Sequence, residues 1–299
     1  MSFLRLSRIF LPISIVLVIA SLVLLVAPGP TMSIEFTGGT LMEIALPDGK
    51  TKDDLRGALA TFRDGEGSLA NASITTTKSG TEFVRTPTLT NEEHQALLAH
   101  VQSTLGNVQE MQYTTICPTV GRGLKTRAFW ALFTASIAII AYVAFAFRKI
   151  PKSLSPWRFG LAAIIAVIHD VTITVGIFAI LSTFTTFQVD TLFVSALLSI
   201  MGYSVSDTIV IFDRIRDNLI LEGSRGDFSE IIERSLRQSL SRTLNTGLGA
   251  LIMLSALFFF GSENIRWFML ALIVGTVIGT YSSFFVATPL LAFWKKRSR

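Results

Sequence analysis

Six apolar runs constrain what this 299-residue chain can fold into. They fall at about residues 9–28, 128–147, 159–183, 191–212, 244–261 and 267–293. Each is near the roughly 20 residues that a helix needs to cross bilayer hydrocarbon. No water reaches backbone amides there, so runs of this length satisfy them internally as helices. Charged residues make up only 16% of the chain, against about 25% in soluble domains, and the runs account for the deficit. The sequence predicts a multi-pass α-helical membrane protein with six transmembrane helices.

The charge distribution orients the spans. The net charge is +5, from 26 Lys and Arg against 21 Asp and Glu. Sixteen of the cations fall in residues 1–8, 148–158, 213–242 and 294–299. Residues 29–127 hold nine, diluted by eleven acids. Basic residues concentrate on the cytoplasmic side of short loops, so both termini are expected in the cytoplasm and residues 30–127 on the outer face. The basicity reports topology and argues against nucleic-acid binding. The first apolar stretch, Ile9 to Val26, exceeds the usual 7–15 residues of a signal-peptide core, which favours an uncleaved anchor. A lone cysteine, Cys117, excludes an intrachain disulfide and reads as a structural thiol.

Three parts are expected: residues 1–29 as a first transmembrane helix, 30–127 as an extracytoplasmic domain, and 128–299 as a five-helix transmembrane domain with a cytoplasmic loop at 213–242. Within the second part, Ser33–Phe36 and Thr40–Leu46 are rich in strand formers around Gly38-Gly39. Thr51–Phe62 predicts a helix that Thr51 can cap, with Asp53 and Asp54 in its first turn. Ala72–Thr77 and Glu82–Arg85 read as strands around a Lys78-Ser79-Gly80 turn. Thr90–Leu105 predicts a second helix, with Thr90 and Glu93 in capping-box spacing, and Val108–Tyr113 a last strand. The order β-α-β-β-α-β predicts an α+β, ferredoxin-like domain. That topology alone says nothing about activity. In the loop, Phe228, Ile231, Ile232, Ser235 and Leu236 fall at helical spacing and predict a helix on the inner membrane surface.

Polar residues inside the runs mark candidate sites. GYSVSDTIVIFDRIRDN, residues 202–218, places Asp207 within the fourth run. A carboxylate in hydrocarbon costs roughly 2.5–3.5 kcal/mol even on insertion-based scales, which makes it a functional hypothesis by default. Asp213 lies six residues on, about 9 Å along a helix, and begins a charged cluster at the boundary. Gly202 and Ser206 form a small-xxx-small pair that admits a close helix. The expected partner is Arg242, which with Asn245, Thr246 and Gly249 forms one polar stripe at the start of the fifth run. An Asp facing an Arg can switch on protonation, or can be a static ion pair that fixes packing. His169 and Asp170 sit near the middle of the third run. Adjacent helical residues point about 100° apart, and no second His or Cys cluster accompanies them, so a polar helix contact or a proton relay is expected rather than a metal. Asp170 and Asp207 also permit an aspartyl protease dyad, but neither HDVT nor SVSDT supplies the GxGD context of such enzymes. Walker, Ser-His-Asp and Cys-His patterns are not apparent. No enzymatic activity, cofactor or metal is expected.

Together these motifs resemble the SecF family of bacterial protein-export subunits, in the resistance-nodulation-division (RND) superfamily. SIEFTGGT, with Glu35, Phe36, Thr37, Gly38 and Gly39, resembles that family's xIDFTGGT. CPTVGRGLK, with Pro118 and Gly121, resembles its GPTVG motif. HDV, the 202–218 segment and SLSRTLNT follow in the family's order. Glu35 stands where Asp is usual, Cys117 where Gly is usual, and Ser206 where Asn is usual. The resemblance implies a bacterial inner (plasma) membrane protein that is half of a two-part transporter. SecD would supply the other half, with the SecYEG channel, a YajC-type subunit and a translocating preprotein as further partners. It implies use of the proton-motive force to promote translocation, with Asp207 and Arg242 in proton passage. A small-molecule efflux half-transporter of the same superfamily and a non-energised scaffold of the channel stand as alternatives.

Overall fold

The computed structural model describes residues 2–64, 67–69, 72–77, 80–148, 155–222 and 227–296. Two compact units divide the chain: Met32–Ala128, and Met1–Thr31 with Phe129–Arg299.

Helix α1 (Phe3–Val26) belongs to the helical unit. The sheet unit contains α2 (Ile34–Thr37), β1 (Gly39–Ala45), α3 (Lys52–Thr61), β2 (Arg63–Asp64), β3 (Gly67–Ser68), β4 (Ser73–Thr76), β5 (Glu82–Thr86), α4 (Asn91–Leu105) and β6 (Gln109–Ile116). Four strands form one sheet in the order β4-β5-β1-β6, every neighbour antiparallel. In β1, Met42 and Ile44 alternate onto one face, as a strand's period of two requires. They pack there with Ile74 and Val84, with Leu55 and Leu59 of α3, and with Leu97 and Val101 of α4.

Local chemistry starts both long helices of this unit. The Thr51 backbone N–H donates to Asp54 Oδ2 at 2.8 Å, and the Asp54 N–H donates back to Thr51 Oγ1 at 3.4 Å. Thr90 and Glu93 repeat the exchange at 2.8 and 3.3 Å. These backbone donors, and the two threonine hydroxyls, hold the Asp54 and Glu93 carboxyls below the usual carboxylate range.

One expectation fails here, and one short strand pair was not expected. Ser33–Phe36 is a helical turn, not a strand, because the Ser33 side chain accepts the Glu35 N–H at 3.2 Å and winds the chain. The short pair β2-β3 carries no alternation long enough to announce it. Lys78 and Ser79 of the expected turn lie outside the described residues.

The helical unit continues with α5 (Pro118–Ala146, counted with the sheet unit up to Ala128), α6 (Pro156–Phe184), α7 (Thr191–Glu222), α8 (Phe228–Phe260), α9 (Glu263–Ser282), a π-turn at Ser283–Ala287, and α10 (Thr288–Lys296). Six of its helices, with α9 through α10 taken as one, are long and apolar enough to cross a membrane. Helices α6, α7 and α9 form the buried centre, while α1, α5 and α8 keep most of their apolar surface outward.

The expected surface helix at residues 228–236 is instead the first part of α8, which runs unbroken to Phe260. Its apolar face is buried in protein: Phe228, Ile231, Ile232 and Leu236 pack with Phe212, Ile215 and Leu219 of α7. At 32 residues α7 spans about 48 Å, more than the ~30 Å of hydrocarbon, and so offers this face a partner beyond the membrane. Asn218 Nδ2 donates to Ser235 Oγ at 2.8 Å and Arg214 Nε to Gln238 Oε1 at 2.8 Å, while Arg234 pairs with Glu222. Protein contact thus takes the place of membrane contact.

Candidate functional site

Two buried carboxylates lie among the central helices. Asp170 of α6 is 0% exposed. Its Oδ1 is 2.8 Å from His169 Nδ1, and its Oδ2 accepts from Ser204 Oγ of α7 at 2.5 Å and Ser282 Oγ of α9 at 2.8 Å. One acid is therefore bonded to three helices. Gly279 makes this possible: a Cβ there would stand 3.1 Å from Ser204 Cβ and 3.6 Å from Asp170 Oδ2. The His169 ring lies beside Tyr281, with centroids 6.3 Å apart. Tyr281 in turn donates to the Phe10 carbonyl of α1 at 3.0 Å.

Asp207 of α7 is 6% exposed and differently held. Among the described residues its Oδ2 accepts from Thr280 Oγ1 of α9 at 3.3 Å, and the Tyr203 hydroxyl lies beside the same carboxylate. Gly247 brings the α8 backbone against the same cluster: a Cβ there would meet Tyr203 Oη at 3.2 Å and Thr280 Oγ1 at 3.4 Å. A carboxylate held this lightly has acceptor capacity to spare, whereas Asp170 already accepts at three of its roughly four sites. Chemically, Asp207 can take up or release a proton with little rearrangement of its partners, and Asp170 is a polar pin between helices.

The expected pairing of Asp207 with Arg242 is not made within this chain. Among the described residues, Arg242 has no ion pair. The rotation of α8 is the reason: Thr243 and Gly247 turn inward, leaving Arg242, Asn245, Thr246 and Gly249 on the exposed side. Thr246 Oγ1 bonds back to the Arg242 carbonyl at 3.0 Å. Gly202 and Ser206 are also exposed, and among the described residues nothing lies within 4 Å of a Cβ placed at Gly202. Asp213 stands apart from Asp207 and pairs with Arg216 at 2.7 Å. Sequence reasoning missed Thr280, Ser282, Ser204, Tyr203 and Tyr281, although GTYSS, residues 279–283, is a polar interruption of the sixth run.

In the sheet unit the two motif segments meet. Gly38 has φ +75°, and a Cβ there would lie 2.6 Å from Pro118 Cα, so only glycine fits. Gly121 sits against the Gly38 amide and the Glu35 and Phe36 carbonyls, a Cβ there falling 3.0 to 3.2 Å from them. Phe36 is buried, and Thr37 Oγ1 donates to the Ser33 carbonyl at 3.1 Å. Gly39 has φ +122° and begins β1. Cys117 is exposed and has no positive φ, so glycine is not needed there.

Comparisons with known proteins agree on a family. Residues 96–297 match the family described as Protein export membrane protein SecD/SecF, C-terminal. The protein translocase subunit SecF of Thermobaculum terrenum is 39% identical over 96% of this chain and 92% of its own length. That of Anaerolinea thermophila is 34% identical over the same shares. The crystal structure of SecDF, a translocon-associated membrane protein from Thermus thermophilus, superposes with a TM-score of 0.85 at 32% identity. It covers 99% of this chain, which spans 39% of that longer chain. A crystal structure of SecDF in a super-membrane-facing form gives a TM-score of 0.70. With the family match over two thirds of its length and relatives at this identity, the chain belongs to the SecD/SecF family of protein-export membrane proteins.

Proposed function

We propose that this chain is the SecF-like half of a two-part, proton-driven subunit that promotes preprotein translocation through a SecYEG-type channel in the bacterial inner membrane. The observation that carries the reading is Asp207, buried in α7 and held by Thr280 at 3.3 Å, together with exposed polar positions on α7 and α8. Gly202 and Ser206 on one helix, and Arg242, Asn245 and Thr246 on the other, are surfaces that a SecD partner would cover. The share of the SecDF chain that this one spans, 39%, supports the same division of labour. Arg242 would then meet Asp207 or the partner's polar groups in only some states of the cycle. A YajC-type subunit and the preprotein complete the proposed assembly.

In this reading the chain catalyses no covalent reaction. Asp207 and Arg242 couple proton passage to helix movement, Asp213 sits at the cytoplasmic boundary, and Ser206, Asn245, Thr246, His169 and Asp170 support the polar interior. Residues 30–127 form a ferredoxin-like domain on the outer face, between the first span (1–29) and the five that follow (128–299). The antiparallel order β4-β5-β1-β6 with two intervening helices supports that assignment. Both termini are assigned to the cytoplasm on the distribution of arginine and lysine. The energy is sufficient: one charge crossing 100 mV yields about 2.3 kcal/mol, which biases an equilibrium about fifty-fold.

The test is preprotein translocation into inverted vesicles after ATP-driven insertion, with ATP then removed. Completion that depends on the proton gradient in wild type and is lost in Asp207→Asn supports the reading. Equal gradient-dependent completion by the variant refutes it and leaves the scaffold.

A further inference from the structure

A cleft of about 460 Å3 opens where the first turns of α1 and α8 meet, away from both buried carboxylates. Arg5 and Arg8 of α1 line it with Arg234 and Arg237 of α8, against two glutamates, Glu230 and Glu233. Glu233 is already engaged. It accepts from the backbone N–H groups of Phe3 at 3.0 Å and Leu4 at 3.3 Å and from the Ser2 hydroxyl at 3.0 Å, and it pairs with Arg237 at 3.3 Å. Arg234 pairs with Glu222. Among the described residues, neither Arg5 nor Arg8 meets a carboxylate within ion-pair distance. The cleft is therefore cationic, and its guanidinium donors suit an anion with several oxygen acceptors.

The same two arginines head two apolar strips. Arg5, Ile9, Ile13 and Val16 follow one another at spacings of four, four and three, along one face of α1. Arg8 heads a second strip, with Ile15, Ile19 and Leu22 following at spacings of seven, four and three. All six of these apolar side chains are exposed, Ile9 by 62%. A charged head above long uncovered hydrocarbon surfaces matches an amphiphile rather than a small free ion. We propose that this cleft binds the phosphate headgroup of an anionic phospholipid, with its acyl chains lying along the two strips of α1.

The test uses the full chain in detergent and native mass spectrometry, with phosphatidylglycerol, phosphatidylcholine and inorganic phosphate as separate probes. Wild type is expected to retain phosphatidylglycerol over phosphatidylcholine. Arg5→Gln/Arg8→Gln is expected to lower that retention about thirtyfold, the loss for two cationic side chains at an anionic surface. Arg5→Lys/Arg8→Lys is expected to keep most of it, and circular dichroism checks that both variants are folded. Equal retention by wild type and the glutamine variant overturns the proposal, as does equal retention of the two lipids. Binding of inorganic phosphate that displaces phosphatidylglycerol at matched concentration also overturns it, because the acyl chains then contribute nothing.

Discussion

Thr280 and Ser282 leave the same helix in opposite directions, one donating to Asp207 and the other to Asp170. Two residues along a helix are about 200° apart, so α9 passes between the two acids and contacts both. The pair separates two roles that hydropathy alone merges. Ser282 joins a network of three bonds on one acid, and Thr280 donates a long bond to an acid with acceptor capacity left.

Ser282→Ala removes one of the bonds on Asp170. Intramembrane hydrogen bonds average about 0.6 kcal/mol, with a maximum near 1.7. Unfolding in mixed detergent is expected to show a loss in that range, with gradient-driven translocation retained. Thr280→Ala is expected to do the reverse: stability near wild type and an altered dependence of translocation on the gradient.

Glycine substitutions distinguish inner from outer faces. Gly279→Leu forces a side chain onto Ser204 and Asp170 and is expected to prevent stable folding in detergent. Gly202→Leu enters open space in this chain. Thermal unfolding of that variant alone should match wild type, while co-purification with a SecD partner should fall. A large loss of stability in Gly202→Leu would contradict the outward placement of this face.

The base of α8 is a packed core, so truncating it acts on folding. Ile232 is fully buried, and Ile232→Ala is expected to cost about 2–5 kcal/mol of stability. A helix resting on the lipid surface would lose far less, and a denaturant titration decides between the two.

The capping carboxyls make part of the sheet unit pH-dependent. Asp54 and Glu93 titrate below the usual carboxylate range in the fold because backbone amides and threonine hydroxyls donate to them. Their contribution is complete above that range and is lost as pH falls through the lowered values. Hydrogen exchange at the first turns of α3 and α4 is therefore expected to speed up in acid beyond the intrinsic pH dependence of exchange. Glu93→Gln should remove that excess at α4 and leave it at α3.

The caps at Thr51 and Thr90 are legible in the sequence because they depend on atoms three residues apart. The spans are legible because hydrocarbon excludes nearly every other composition, and the same exclusion exposes Asp207. Its surroundings are not legible. Thr280 is 73 residues away, and hydropathy does not say which way α8 is turned. Arg242 with Asn245 and Thr246, or Thr243 with Gly247, would each make a plausible polar or small face, and only packing against α7 and α9 selects the second. Ser33–Phe36 fails for a different reason: its strand-like composition yields to one serine cap.

Helices α7 and α8 each run unbroken from the membrane-spanning part into the paired segments beyond it. An unbroken helix behaves as a rigid shaft, so a rotation that re-aims Asp207 also re-aims Arg214 and Asn218 on the same axis. Those residues grip Gln238 and Ser235 of the neighbouring shaft. A turn of α7 at Asp207 is thereby carried to the Arg214 and Asn218 contacts, with no break in the helix between them to absorb the motion.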